Sequence, residues 1–563
     1  MKKLINDPSA VVDEMIEGLV RSREGLAILA GQRVVVRDDI ETLKGAGRVA
    51  IVSGGGSGHE PAHAGYVGEG MLTAAVCGDV FTSPSTDAVL AAIRAVTGPA
   101  GTLLIVKNYT GDRLNFGLAA EIARGEGLLV EMVVVADDMS IDASGDNAGR
   151  RGIAGTVLVH KVAGAAAAAG RTLAHVKREA ERAIAAVGTM GVALSPCTVP
   201  AAGKPSFTLG EDEIELGLGI HGEAGVERVA WRPVDDLVAL LLNRVLDGLD
   251  VREGQPVALL ANNLGGTPAM EMDLVARAAL KAADARGVRV ERLWTGTFLT
   301  AIEMAGCSVS VLRLDDDLLS ALDAPASAPP WPGKGVRPRV DLPLVEVPRE
   351  AAGAPEPAAP NPAVVAAIRA AAERLVAEES RLTDLDRQVG DGDLGANLAR
   401  GAEAVLAEIE GYRDRSPASV LRALSATMRR TVGGTSGALY AAGLLRAANT
   451  LEGRTAPSVK DWAEAFQGGA QAIAEIGDAR QGDRTMLDAL LPAAERLAGG
   501  ADLSDAAGAA QAGAEATARI PPRRGRSSYL GSRVLGIPDP GAEAVAAWLD
   551  AVAGALRAHS GEA

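Results

Sequence analysis

Apolar runs of strand length recur along this chain as far as residue 314 and then cease. The runs at 33–37, 48–52, 101–106, 127–135, 257–261, 288–290 and 309–314 are short and rich in Val, Leu and Ile, the pattern of buried strands. Between them lie segments with helical spacing, 11–23, 157–187 (broken at Gly164 and Gly170), 234–249 and 270–285. Strands alternating with helices predict largely parallel sheets covered on both faces. From residue 363 onward only helical patterns remain, at 363–380, 395–406, 417–432, 437–449, 459–476, 486–497, 503–518 and 542–559. That region is expected to be an all-α eight-helix bundle or barrel. Where the pattern changes, Pro325, Pro329, Pro330 and Pro332 precede Pro348, Pro355, Pro357, Pro360 and Pro362 among alanines, the composition of a semi-extended linker. The expected fold is therefore multidomain. Two α/β lobes, about 1–190 and 191–335, form a first domain; a linker covers 336–361; an all-α domain covers 362–563.

A chain of 563 residues exceeds what one core serves, which agrees with that division. Aromatic residues are only 3%, so the cores must be built from Ala, Val and Leu, with few rings to stack on a base. A net charge of −16 argues against nucleic acid as a partner, because its phosphates would be repelled. A phosphorylated small molecule stays allowed, since a local cation or metal reverses the sign at one site. Cys77, Cys197 and Cys307 lie apart in apolar contexts and read as small buried hydrophobes of a reducing compartment. Lys2 and Lys3 meet Asp7 and Pro8 before any signal-like core forms, and no run reaches the ~18–20 uncharged residues of a membrane span. A cytoplasmic protein without membrane contact is expected.

Three segments of the first half carry chemistry. Leu216-Gly-Leu-Gly-Ile-His221-Gly-Glu-Ala-Gly225 sets one of only six histidines among glycines, where the backbone permits close approach. Ser53-Gly-Gly-Gly56-Ser57-Gly58-His59-Glu-Pro61 adds a second histidine at a glycine turn, and Lys107-Asn-Tyr-Thr-Gly-Asp112-Arg113 follows an apolar run. Together they offer a nucleophile, a polar turn and a base at the carboxyl ends of strands, where open α/β sheets bind ligands. The glycine turn is not a Walker loop, because it ends in Gly-His-Glu-Pro rather than Gly-Lys-Ser/Thr. On residues alone these histidines also read as satisfied strand-end residues, and His160 and His175 read as structural or surface positions. In the second half, Asp386, Asp391 and Asp393 crowd a glycine-rich loop between the first two predicted helices. Such carboxylates repel one another unless a hard cation such as Mg²⁺ sits among them, although a solvated acidic turn has the same composition. No glutamate stands where an EF-hand would need its bidentate ligand.

These segments resemble the dihydroxyacetone kinase family over nearly the whole chain. The resemblance implies an ATP-dependent enzyme in which the first domain binds a short ketose and the second binds nucleotide. His221 would form a covalent hemiaminal with the ketone. Gly56, Ser57, Gly58, His59 and Lys107 would hold the substrate's oxygens, and Asp112 would take the proton of the attacking hydroxyl. Asp386, Asp391 and Asp393 would hold Mg²⁺ against the ATP phosphates. The resemblance further assigns nucleotide contacts to Leu394, Gly395, Ala396, Asn397, Thr435, Ser436, Gly477, Thr485, Met486, Arg526, Asp539, Pro540 and Gly541. Leu394 replaces a residue that is often polar in relatives, leaving its backbone N–H for the phosphates. Fusion of both domains in one chain suggests exchangeable ATP rather than a phosphocarrier protein, and a homodimer is implied. Dihydroxyacetone is the expected substrate, with glyceraldehyde also accepted. Other readings of the same build are an erythrulose kinase, a lyase that cyclises FAD, and a non-catalytic sensor; retention of His221, Asp112 and the three aspartates argues against the last.

Overall fold

Small and β-branched residues dominate the first six strands of the computed structural model: β1 (Leu26–Ile28), β2 (Val34–Arg37), β3 (Ala50–Ser57), β4 (Ala74–Val80), β5 (Thr102–Lys107) and β6 (Val130–Val135). They form one sheet in the order β1-β2-β4-β3-β5-β6. Pairing is parallel from β4 through β3 and β5 to β6, and antiparallel where β2 meets β1 and β4. Strand β5 is buried along its whole length because both faces are covered. Ile93, Phe116 and Ala120, from helices Thr86–Val96 and Thr110–Gly125, pack on Val52, Leu104 and Val106. On the other face, Ile16, Val159, Val162 and Val176 pack on Ile51, Leu103 and Ile105. The structure describes residues 2–141, 149–205, 207–223, 225–339, 341–347 and 361–560.

The second sheet departs from the expected parallel arrangement. Its strands are β7 (Val187–Ala193), β8 (Glu213–Leu216), β9 (Glu227–Ala230), β10 (Pro256–Asn263), β11 (Arg289–Gly296) and β12 (Gly306–Arg313), in the order β11-β10-β12-β7-β8-β9. Only β10 and β11 are parallel. The reason lies in the connections. A loop, not a crossover helix, joins β11 to β12, so β12 can return antiparallel between β10 and β7. Helices Val234–Gly248 and Ala269–Ala285 cover one face through Leu241, Val245, Val275 and Ala279.

Two sequence expectations about glycine need correction here. Gly164 does not break its helix, which runs unbroken over Thr156–Ala168; a Cβ there would lie 2.4 Å from the carbonyl oxygen of Gly70, so glycine serves close packing. The break comes at Gly170, with φ +70°, before helix Leu173–Ala186. Strand β3, moreover, runs straight through Gly54, Gly55 and Gly56, where a turn was expected.

The chain divides into two compact units, 1–345 and 346–563. The second contains nine α-helices among the described residues, one more than expected: Pro362–Ala377, Glu379–Val389, Leu394–Glu408, Pro417–Thr431, Gly434–Thr450, Val459–Gly477, Leu487–Ala498, Leu503–Ala516 and Pro540–Ser560. The additional helix is Glu379–Val389, whose only buried residues are Leu382, Asp386 and Val389. So polar a segment hides its helical period. The core is alanine-rich, with Ala489, Ala493, Ala506, Ala510 and Ala542 around Leu490 and Val545. Among the described residues, no helix is long and apolar enough to cross a membrane.

Candidate functional site

Strand β3 delivers the first site by pressing glycines against its neighbours. A Cβ on Gly54 would lie 2.4 Å from the Val76 carbonyl oxygen, and one on Gly56 would lie 2.6 Å from the Thr82 nitrogen. At Gly58, with φ +99°, the backbone becomes left-handed and turns. Both Glu60 carboxylate oxygens accept from the Gly58 N–H, at 3.1 and 3.0 Å. The Ser57 hydroxyl donates to the Gly78 carbonyl at 2.8 Å.

The turn seats His59 in complete burial. Its Nδ1 faces the Thr300 carbonyl oxygen at 2.8 Å, so Nδ1 carries the proton and Nε2 carries a lone pair with no partner among the described residues. The ring stacks on Phe81 at a centroid distance of 5.0 Å. Burial first, then the charges of Lys107 and His221, hold the imidazole well below its usual 6.5, so it is neutral.

Lys107 ends β5 and Asp112 lies in the first turn of helix Thr110–Gly125. Both are buried, and Lys107 Nζ and Asp112 Oδ1 have no hydrogen-bond partner among the described residues. A Cβ on Gly55 would sit 3.5 Å from Asp112 Oδ2 and from Lys107 Nζ, so the three converge. Burial pulls the ammonium pKa down, while Asp112, Asp137, Glu223 and Glu60 oppose that shift. Unpaired buried polar atoms are costly, which marks this cluster as built for a polar ligand.

His221 comes from the loop after β8. Its ring centroid lies 4.8 Å from that of His59, 4.4 Å from Tyr109 and 5.4 Å from Phe81. Glu223 grips it twice, with Nδ1 3.2 Å from Oε1 and the backbone N–H donating to Oε2 at 3.0 Å. Burial pushes the Glu223 carboxyl up, but the hydrogen bond and charge of His221 outweigh it and bring it down to about 2. A carboxylate on Nδ1 leaves Nε2 as the free lone pair. The structure thus brings His221, His59, Lys107 and Asp112 together, and it adds Glu223, Tyr109, Phe81 and Thr300. Glu223 and Tyr109 each follow a candidate by two residues. Phe81 and Thr300 carry no local signal.

In the second unit, Asp386, Asp391 and Asp393 offer carboxylate oxygens within 4.8 Å of one another. Asp386 does not lie on a loop as expected; it is buried in the last turn of helix Glu379–Val389. Its Oδ2 accepts from the N–H groups of Asp393 and Leu394 at 3.0 and 3.2 Å. The Leu394 N–H expected to face phosphate is therefore engaged by Asp386. Arg526 pairs with Asp391. Three hard oxygen donors at this spacing fit Mg²⁺.

Helix Leu394–Glu408 opens with Gly395 buried, where a Cβ would lie 2.2 Å from the Glu379 carbonyl oxygen, and with Ala396 exposed. Asn397 Oδ1 lies 3.3 Å from the Cβ position of Gly433, which precedes helix Gly434–Thr450 with Thr435 exposed and Ser436 half-buried. Gly477 ends helix Val459–Gly477, its Cβ position 3.5 Å from Leu439. Asp488 clamps the next loop, accepting from the Gly482 and Thr485 N–H groups at 2.6 and 2.8 Å. The Gly541 Cβ position lies 3.6 Å from that of buried Met486, so 485–486 and 539–541 meet. Asp539 caps helix Pro540–Ser560 through the Ala542 N–H at 2.9 Å, and burial pushes its carboxyl up to about 6. Arg484, which carries no local sequence signal, is fully buried and donates to the Ile537 carbonyl at 2.9 Å, tying those segments together.

A buried cluster of polar groups without partners among the described residues, in a chain that also carries a carboxylate triad suited to Mg²⁺, is the arrangement of a two-domain small-molecule kinase. Residues 17–330 match the Dak1 domain and residues 388–554 match the DAK2 domain. The chain is 48% identical over 99% of its length to a tomato (Solanum lycopersicum) protein named putative 3,4-dihydroxy-2-butanone kinase, covering 98% of it. It is 44% identical to human triokinase/FMN cyclase, with 98% of each chain covered. Among solved structures it is similar to the C. freundii dihydroxyacetone kinase in complex with AMP-PNP and Mg²⁺, with a TM-score of 0.67, 38% identity and coverage of 98% and 99% of the two chains. This chain belongs to the dihydroxyacetone kinase family.

Proposed function

We propose that this protein transfers the γ-phosphoryl group of ATP to a short ketose, dihydroxyacetone foremost and glyceraldehyde besides, after covalent capture of the carbonyl by His221. The observation that carries this reading is an imidazole whose Nδ1 is held by Glu223 and whose Nε2 is free, 4.8 Å from the neutral ring of His59. His221 Nε2 bonds to the carbonyl carbon while the carbonyl π pair moves to oxygen, which takes a proton from water; the Nδ1 proton leaves past Glu223 to solvent, so the hemiaminal is neutral and no net proton is consumed. His59 Nε2, an acceptor only, receives a hydroxyl hydrogen, and Lys107 donates to a substrate oxygen. Asp112 takes the proton of the terminal hydroxyl as that oxygen attacks phosphorus. Asp386, Asp391 and Asp393 would hold Mg²⁺, which supplies charge neutralisation at the phosphates. The remaining nucleotide contacts implied by the resemblance, Arg526 and the 485–486 and 539–541 segments among them, are assigned on the same basis.

The substrate domain is taken as 1–335, the linker as 336–361 and the nucleotide domain as 362–563; a homodimer rests on family membership. The names of the relatives support a carbonyl-bearing acceptor: the C. freundii protein is called a dihydroxyacetone kinase and the tomato protein a dihydroxybutanone kinase. The test is ADP release with dihydroxyacetone, glyceraldehyde, D- and L-erythrulose and glycerol, repeated with His221→Ala. Ketones and aldehyde are expected to be turned over and glycerol not, and His221→Ala is expected to remove that preference. Equal rates with glycerol would overturn the capture step.

A further inference from the structure

Behind the His221 loop lies an ion pair that the capture chemistry above does not use. Asp138, whose side chain is 1% exposed, pairs with Arg151 at 2.6 Å. The residues are also joined through the backbone, with the Asp138 N–H donating to the Arg151 carbonyl at 3.0 Å. Arg151 then spreads its fork. Nε donates to Asp138 Oδ2 at 2.7 Å, and an Nη2 hydrogen goes to the Gly217 carbonyl at 2.7 Å. Ser140, whose hydroxyl and N–H face Asp138 Oδ1 at 2.6 and 3.0 Å, lies 3.3 Å from the same Gly217 oxygen.

Gly217 begins the loop that carries His221, and it stands at φ +61°. Two residues on, a Cβ at Gly219 would lie 2.2 Å from Glu223 Oε2 and 2.7 Å from Arg151 Nη1, so the loop is laid directly on the guanidinium. The other side of the clamp is fixed. Asp137 and Met139 exchange backbone hydrogen bonds with Thr189 of β7 at 2.7 and 2.8 Å. Residues next to Arg151 also touch the opposite wall of the site: the Arg150 carbonyl accepts from Asn108 Nδ2 at 2.7 Å, and a Cβ on Gly152 would lie 2.8 Å from Lys107 Cβ. One short segment therefore contacts both the loop of His221 and the strand end of Lys107.

We propose that Arg151, oriented by Asp138, is a positioning residue that fixes the distance of His221 Nε2 from the hydroxyl-binding groups Lys107 and Asp112. It acts through the Gly217 carbonyl and the 217–223 loop, not by touching substrate. Arginine is needed because its planar fork reaches a carboxylate and a carbonyl at once, which a lysine ammonium cannot reproduce. The proposal rests on the capture reading given above.

The test is carried out on the full chain with [2-¹³C]dihydroxyacetone, following loss of the carbonyl resonance on capture, alongside KM, kcat and the melting temperature. Arg151→Lys is expected to melt near wild type, to weaken capture and raise the ketose KM by about tenfold or more, and to leave the KM for ATP unchanged. Added to His221→Ala it should cost nothing further, since the loop would then have no nucleophile to place; general structural damage would lower the residual rate again. Should Arg151→Lys fail to fold, Asp138→Asn, which keeps the shape and removes the charge, is expected to show the same pattern. Wild-type protein that shows no capture would remove the reading on which the proposal rests. Wild-type capture together with undiminished capture in Arg151→Lys, or in Asp138→Asn, would overturn the clamp itself.

Discussion

Asp112 sits beside Lys107 in a buried corner where its Oδ1 has no partner among the described residues, and in the proposed mechanism that oxygen serves the reacting hydroxyl. Asp112→Asn keeps the shape but cannot accept the proton. Turnover is expected to fall by ~10²–10⁴-fold, as for loss of a placed base, while ketone capture persists in the ¹³C experiment. Equal loss of capture would make Asp112 a binding group instead. His59 illustrates how a residue's role follows from its second nitrogen. With Nδ1 turned to Thr300, only Nε2 is left for a ligand, and as a lone pair it serves as an acceptor.

Among the elements, helix Thr156–Ala168 is buried on every side and carries Lys161, which is fully buried. Its Nζ donates to the Ala321 carbonyl at 2.7 Å, in the last turn of helix Asp316–Asp323, where a cation suits the exposed carbonyls. Burial lowers the ammonium to about 8 against an ordinary 10.5, with Asp323 opposing. Since the folded-state pKa is the lower one, the folded chain holds fewer protons between about pH 8 and 10.5, and stability rises with pH across that window; below about 8 the penalty is complete. Denaturant melts of wild type and Lys161→Met should therefore diverge in favour of wild type by a quantity on the order of 3 kcal/mol from pH 8 to 10.5. A constant difference would mean that Lys161 titrates normally.

At the scale of the whole molecule, two sheets and a helical unit supply two different kinds of site. The first holds buried donors and acceptors without partners among the described residues; the second gathers three carboxylates whose mutual repulsion a cation relieves. Magnesium is therefore expected to bind with nucleotide to Asp386, Asp391 and Asp393. Removing it with EDTA, or substituting Asp393→Asn, should abolish ADP release while leaving ketone capture intact in the ¹³C experiment. Loss of capture on magnesium removal would show that the two functions are not separable.

The alternation of apolar runs, the proline-rich stretch and the strand-free second half were legible in the sequence because burial on two faces and helical period are local properties of composition. So were the histidines, Lys107, Asp112 and the three aspartates, because glycine segments and clustered charge stand out against an alanine-rich background. Strand direction in the second sheet was not legible, since helix and strand alternation does not say whether a loop crosses over or returns. Helix Glu379–Val389 was hidden by its polarity, and with it the fact that Asp386 is buried and helical. Phe81 and Thr300 reach the site from segments distant in sequence, and Arg151 bears on His221 only because β7 and β8 bring Gly217 beside it. The chain by itself determined which chemical groups are available and roughly where the sheet-bearing unit gives way to the helical one. Tertiary packing decided which nitrogen of each histidine is free and what holds it, because those depend on neighbours remote along the chain.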